Sequence, residues 1–514
     1  MVSTAVSGRR RHKAHNTASS QSRGPAGSTP RSTPRSTARR PLTVAISAIA
    51  TIVLFAGYCA ADIADVIAGP LTLQPVSKTT FAQPPTAKAG GTIAKSLDLN
   101  KPIDATAAAK LMDELLSAQG VGSDTSVIIE DAQGNVAAEH EADTTREPAS
   151  TMKTLTALAA ASTLNMASTL DTQVFLSSSG SASGTLTLKG NGDMLLSAGQ
   201  SDPDHINGRA GLSTLAQATV AALAQRGITS VTLNYDDTLF GDSRVPTGLS
   251  QGGNTVAAGY TNYFTPVSSM AIDGGRQYSA DSPVPDDPDD AAGYPELSQH
   301  TAEDTANTFA KLLEAQGLTV DSAPSEQEAP GNTEPIASVS SATLSEIMAF
   351  TLRRSDNTLA EEFGRLLALH VGSENNSPEG AVKTVRAIIG KLGIDATGLT
   401  MADCSGLSPG SKLTVRTLAE VQRHNLTANG GAAAAEGLSI AGLAGTAQDR
   451  YTDENVAGLL RVKTGSLDNV TSMTGNVSRL NGGALSFAVV VNDPDDYEAA
   501  RNAINEFITK LAGL

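Results

Sequence analysis

The sequence predicts an α+β fold: an antiparallel sheet covered by helices, with a large separate insert. Three observations predict it. Helix-period and strand-period stretches follow in the order helix, hairpin, helix, insertion, helices, strands, helix. No fixed-period repeat runs through the chain. The 514 residues are 40% hydrophobic, enough for about two to four structural units and a large buried core.

Residues 1–41 are rich in Ser, Thr, Pro and Arg and include Arg9-Arg10-Arg11. Such a segment buries too little apolar surface to fold, and a disordered basic cytoplasmic tail is expected. Leu42 to Ala61 carries no charge and spans about 30 Å as a helix, one bilayer core. Basic residues precede it and Asp62 follows, so the positive-inside rule leaves the N-terminus in the cytoplasm and the body outside. A single-pass transmembrane signal anchor over 42–61 is expected. A cleaved signal peptide with a secreted body is the alternative. Residues 62–100, rich in Pro, Ala, Gly and Thr, read as a linker.

The body opens with a helix pattern from Ala105 to Gln119, stopped by Gly120. Ser126 to Ile129 and Asn135 to His140 flank the turn at 131–134 and read as a hairpin. An Ala/Leu-rich helix follows from Ser150 to Leu164. Residues 166–335 form the insert, with short strands, many turn signals and an acidic run at 281–290. Helices resume at Thr343 to Leu352, Leu359 to His370 and Pro378 to Leu392. Gly458 to Lys463 and Ala484 to Asn492 are strand-like apolar runs separated by turn residues, and Tyr497 to Leu511 is a closing helix. Residues 101–165 and 336–514 therefore read as one domain that the insert interrupts.

Charge and composition exclude several functions. The net charge is −16, yet residues 1–61 hold nine Lys and Arg and no acid. The remainder carries 28 basic and 53 acidic side chains, a net of −25. An acidic body with 4% aromatics and no Trp argues against nucleic acid as a partner. Cys59 and Cys404 lie too far apart in sequence for a disulfide framework or a Cys-based zinc site. The seven histidines form no H-E-x-x-H, and there is no phosphate-binding G-x-x-x-x-G-K. The acidic run reads as a solvated loop rather than a Ca²⁺ site. No metal and no cofactor are expected.

Three short motifs carry the chemistry. Ser150 and Lys153 stand at i and i+3 where a helix begins, so the amine can lie beside the hydroxyl. A serine attacks only when a neighbouring base takes its proton, and a buried lysine can be that base. Ser355-Asp356-Asn357 offers a hydroxyl for proton relay and an amide that both donates and accepts. It is also an N-cap cluster for the next helix. Lys463-Thr464-Gly465 ends a strand-like run, where cation and hydroxyl suit a carboxylate and glycine permits close backbone approach. Each motif alone has a plain structural explanation. The specific signal is their order and their placement on suitable elements. Two G-x-S-x-G matches, around Ser250 and Ser408, lack a strand before and a helix after, and read as turns.

The ordered set resembles the signature of penicillin-recognising serine hydrolases. The roughly 200 residues between the first two motifs resemble the D-alanyl-D-alanine carboxypeptidase/endopeptidase family, the low-molecular-mass class C penicillin-binding proteins. Segments 188–199, 263–275, 402–414 and 462–477 are similar to further family segments, with Met194 for a usual proline and Cys404 for a usual glycine. The resemblance implies a β-lactamase/transpeptidase-like fold and an acyl-enzyme on Ser150. It implies Lys153 as general base, Ser355 as proton relay and Asn357 as support for Lys153 and the substrate amide. Lys463 and Thr464 would bind the terminal carboxylate, beside Gly465, and the N–H groups of Ser150 and Ser466 would hold the oxyanion. The implied partners are peptidoglycan stem peptides and β-lactams. A β-lactamase-like hydrolase and a non-catalytic wall-binding scaffold are the rival readings.

Overall fold

The computed structural model describes residues 40–63, 66 and 98–514, apart from 181, 291–292, 332, 373 and 428–430. The chain falls into two units, Met1–Ile93 and Ala94–Leu514. Helix α1 (Arg40–Ile63) belongs to the first, and its side chains are described from Ala48 onward. Among the described residues no helix is long and apolar enough to cross a membrane. The expected anchor over 42–61 falls partly outside those residues, as do nearly all of the expected tail and most of the expected linker.

The second unit begins with α2 (Ala105–Leu116), capped by Asp104, which accepts the N–H groups of Thr106 and Ala107 at 2.9 and 3.1 Å. The expected hairpin is β1 (Thr125–Asp131) and β2 (Val136–His140). The expected helix at Ser150 starts instead as a 3₁₀ turn, Ala149–Met152, and becomes α3 (Lys153–Ala161).

A second sheet follows. β3 (Thr169–Ser179), β4 (Ser183–Lys189), β5 (Ser230–Asp236) and β6 (Ala337–Thr343) lie in the order β5-β4-β3-β6, with Thr319–Val320 on the outer edge of β5. β6 starts beyond residue 335 and pairs Ala337 with Val174, so this sheet outruns the expected end of the insert. Two helices that the turn-rich sequence hid, α4 (Leu212–Ala224) and α5 (Thr301–Ala315), pack here. Val174, Leu186, Leu215, Phe309 and Val339 share a hydrophobic core of their own.

Four helices return the chain to the first sheet: α6 (Leu344–Arg354), α7 (Asn357–Val371), α8 (Pro378–Lys391) and α9 (Val415–Thr427). Thr343 and Glu346 close a capping box on α6, and Ser377 caps α8 ahead of Pro378. Strands β7 (Ser439–Ile440), β8 (Leu460–Leu467), β9 (Val470–Ser478) and β10 (Ala484–Asn492) precede the closing helix α10 (Tyr497–Leu511). The central sheet runs β7-β8-β9-β10-β1-β2 and is antiparallel throughout. α2 and α10 cover one face through Val127, Val489, Ile504 and Phe507. The other face, through Ile128, Ala488 and Val490, joins the core of α3 and α6–α9. β10 is buried on both faces, which explains its unbroken apolar run.

β9 was not legible as a strand because its text, VTSMTGNVS, is mostly polar and small. Eight of its nine residues are buried, and internal bonds satisfy three of the polar side chains, while Thr471 Oγ1 has no partner among the described residues. Ser472 Oγ donates to the Pro148 carbonyl at 2.8 Å, Thr474 Oγ1 to the Phe487 carbonyl at 2.8 Å, and Asn476 Oδ1 accepts from Ser486 at 3.0 Å. Gly475 lets β8 and β9 meet: a Cβ there would lie 2.8 Å from Val462 Cα. Gly475→Ala should therefore cost ~1–3 kcal/mol, read as a lowered thermal midpoint. An unchanged midpoint would contradict this close packing.

Candidate active site

The site is built where the 3₁₀ turn of Ser150 meets the edge of β8. β7 pairs with β8 only at Arg461 and Val462, so from Lys463 onward that edge has no strand partner among the described residues. Two glycines let the turn come close. A Cβ on Gly465 would lie 2.8 Å from the Pro148 carbonyl oxygen, and one on Gly406 would lie 2.8 Å from Ala149 C. Gly406 has φ +80°, and Ala149 is held at φ 49°, in the left-handed region just before the serine.

Lys153 lies one helical turn after Ser150 and is 1% exposed. Its Nζ donates to Ser150 Oγ at 2.9 Å, Asn357 Oδ1 at 2.7 Å and the Ser405 carbonyl at 2.9 Å. Burial pulls its pKa down from 10.5 to about 8, against upward pulls from Asp403 and Asp356.

The second motif spans the junction of α6 and α7. Ser355 ends α6 at φ 58°. Asp356 caps α7 by accepting the Leu359 N–H at 2.9 Å. Asn357 opens α7 and donates from Nδ2 to the Tyr263 carbonyl at 3.0 Å. Arg276 donates from Nη2 to Asp356 Oδ2 at 2.8 Å and from Nη1 to Asp273 Oδ1 at 3.1 Å.

In the third motif Lys463 is fully buried, and its Nζ donates to Ser355 Oγ at 2.9 Å and to the Thr464 carbonyl at 2.8 Å. Burial, then the charge of Lys153, hold its pKa well below the ordinary lysine value. The hydroxyls of Thr464 and Thr446 share a hydrogen bond at 2.7 Å. Ser150, Ser355, Asn357, Thr464 and Ser466 all line one open cleft of about 760 Å³, walled in part by Tyr260, Tyr263 and Tyr294. Lys153, Lys463 and Gly465 lie against them just beneath the surface. All eight residues singled out in the sequence are therefore together.

Other residues of the site escaped sequence reasoning. Asp403 ties its loop by accepting Ser405 N, Ser405 Oγ, Gly406 N and Ser408 N at 2.6–3.0 Å. This fixes the Ser405 carbonyl that meets Lys153. Cys404 in place of glycine does not disturb the loop, because the positive φ falls on Gly406. The Cys404 N–H donates to Glu361 Oε2 at 2.9 Å. Arg276 directly follows the 263–275 segment, and that position was its only signal. Thr446 and Arg450 had none. Chemically, the arrangement puts a serine hydroxyl beside an amine brought near neutrality, with a second serine–lysine pair across the cleft.

The model of the D-Ala-D-Ala carboxypeptidase 3 (S13) family matches residues 107–292 and 288–511. A carboxypeptidase of Mycobacterium tuberculosis is 30% identical over 377 residues, 71% of this chain and 74% of that protein. The carboxypeptidase DacB of Mycolicibacterium smegmatis is 32% identical over 359 residues, 68% of this chain and 71% of that protein. Penicillin binding protein 4 of Haemophilus influenzae has the same fold, with a TM-score of 0.63 at 20% identity, covering 79% of this chain and 99% of that one. On the match across its body and these relatives, the chain belongs to the D-Ala-D-Ala carboxypeptidase 3 (S13) family.

Proposed function

We propose that Ser150 carries the acyl-enzyme through which this serine-type D-Ala-D-Ala carboxypeptidase/endopeptidase acts on peptidoglycan stem peptides. The observation that carries this reading is the 2.9 Å contact between Ser150 Oγ and the buried Lys153 amine. Neutral Lys153 takes the hydroxyl proton as Ser150 attacks the carbonyl of the penultimate D-alanine. The N–H groups of Ser150 and Ser466 receive the developing oxyanion. Ser355 passes that same proton on to the leaving amine, and water then hydrolyses the ester. Asn357 holds both Lys153 and the substrate amide. β-Lactams acylate the same serine.

The catalytic domain is read as residues 101–165 and 336–514, with 166–335 inserted and β6 carrying the insert's sheet on into the second part. The body works outside the cytoplasm, where its substrate lies. Residues 42–61 serve as a single-pass anchor; support comes from that run's lack of charge behind nine basic residues.

Three outcomes are expected. Wild-type protein should gain one benzylpenicillin adduct by intact mass, mapped to Ser150, and Ser150→Ala should lose both the adduct and D-alanine release; undiminished release would defeat the reading. Acylation should speed up with pH and level off above about 8, since only neutral Lys153 accepts the proton. About a tenth of it is neutral at pH 7, against well under a thousandth for an ordinary lysine. An acid limb near pH 10 would exclude Lys153 at this pKa. Finally, the full chain should stay with membranes through a carbonate wash, whereas a chain lacking residues 1–61 should not; release of the full chain would refute the anchor.

A further inference from the structure

The family resemblance assigns the substrate's terminal carboxylate to Lys463 and Thr464. The geometry of Lys463 does not suit that task. Its amine is fully buried behind the cleft wall, and its two hydrogen bonds go to Ser355 Oγ, at that wall, and to the Thr464 carbonyl. It does not line the cleft.

The cleft has other cations. Among the described residues these are Arg450 and Arg501, against the acids Glu147 and Asp468. Side chains alternate along a strand, so Val462, Thr464 and Ser466 share one face of β8 while Lys463 points to the other. Val462 packs with Ile504 and Phe507 of α10. Arg450 is pinned to that same helix, donating from Nε to Asn505 Oδ1 at 2.5 Å. The loop that carries it is tied to β8 by the bond between Thr446 and Thr464. Arg450 thus stands on the Thr464 side of the strand, opposite Lys463.

Arg450 is also unusually bare for a buried cation. It is 6% exposed, yet its Nη2 has no acceptor and no carboxylate bonds it among the described residues. Burial and then the like charge of Arg501 bring its pKa down to about 10, against upward pulls from Tyr497 and Glu498. Arg501 has a surface partner of its own, Glu498 at 2.8 Å. A guanidinium out of water, with an open donor and a like charge beside it, is an unfavourable state that an incoming anion relieves. Guanidinium is also the side chain best shaped for a carboxylate.

We propose that Arg450, flanked by Arg501, is the cation that receives the C-terminal carboxylate of the substrate beside Thr464. Lys463 then serves Ser355 rather than the carboxylate. The same subsite takes the ring carboxylate of a β-lactam. This inference rests on Ser150 being the acylated residue.

The test compares acylation by benzylpenicillin and by its methyl ester, which carries no carboxylate charge. Rates are followed by intact mass on the full chain. Arg450→Gln should slow benzylpenicillin by ~10- to 100-fold, the range for one charge-assisted hydrogen bond, and leave the ester rate within about twofold. Arg450→Lys should recover part of the loss, and Arg501→Gln should lower the preference for the acid by a few-fold. Equal slowing of both compounds, or an unchanged preference, overturns the proposal. If Arg450→Gln fails to fold, Arg501→Gln decides, because that side chain is 37% exposed and its loss spares the core. An unchanged preference there overturns the two-arginine subsite. Wild-type protein separates the two readings: no adduct on Ser150 defeats the catalytic reading, whereas an adduct with no role for the arginines defeats this one alone.

Discussion

One buried amine sets the terms for the rest of the site. Lys153 Nζ has three neighbours: Ser150 Oγ, Asn357 Oδ1 and the Ser405 carbonyl. Two of them are pure acceptors, so in neutral lysine they fix the two remaining hydrogens. The lone pair is then left for the third neighbour, the hydroxyl of Ser150. Burial supplies the neutrality, since moving the pKa from 10.5 to about 8 is worth roughly 3 kcal/mol against the charged form. Asp403 and Asp356 limit the shift by pulling upward. Without burial the amine would stay charged, and without these acids its pKa would fall further.

That requirement explains the shape of the surroundings. To keep water from Lys153, the serine turn, the 402–414 loop and β8 must close over it within van der Waals distance. Gly406 and Gly465 stand where any Cβ would meet the Pro148–Ala149 backbone. Ala149 holds a strained φ at the same point. The strained Ala149 and the bare Gly406 and Gly465 thus meet in the wall around one amine.

The sequence made much of this legible because its chemistry is local. Ser150 and Lys153 meet through helix geometry alone, and Lys463, Thr464 and Gly465 follow one another along a strand. The apolar runs at 458–463 and 484–492 show two strands of the sheet, which the structure extends to Leu460–Leu467 and Ala484–Asn492. What stayed hidden acts across the chain. β9 is polar because its neighbours, not its own residues, supply the partners for Ser472, Thr474 and Asn476. α4 and α5 lie among turn-rich text, and their buried stripes are made largely of Ala and Thr, which mark a face weakly. Arg276 and Arg450 matter only through residues 80 and 55 positions away, Asp356 and Asn505.

Arg276 shows why the insert is more than an addition to the catalytic body. The Ser355–Asn357 turn must place one hydroxyl over Lys463 and one amide over Lys153, and a left-handed residue begins it. Its own helix holds part of it, the Asp356 N–H donating to the Thr351 carbonyl at 3.0 Å, and the rest is held from outside. The Asp356 side chain is held twice, from the Leu359 N–H of its own helix and from Arg276 of the insert. Asn357 is held in turn by the Tyr263 carbonyl, again from the insert. The other end of the Arg276 guanidinium is fixed by Asp273, so the side chain is a strut between two carboxylates rather than a swinging contact. A chain with all three motifs and no insert would keep the bonds from Lys153 and Lys463 to the middle motif but lose its two outside supports, Arg276 and the Tyr263 carbonyl.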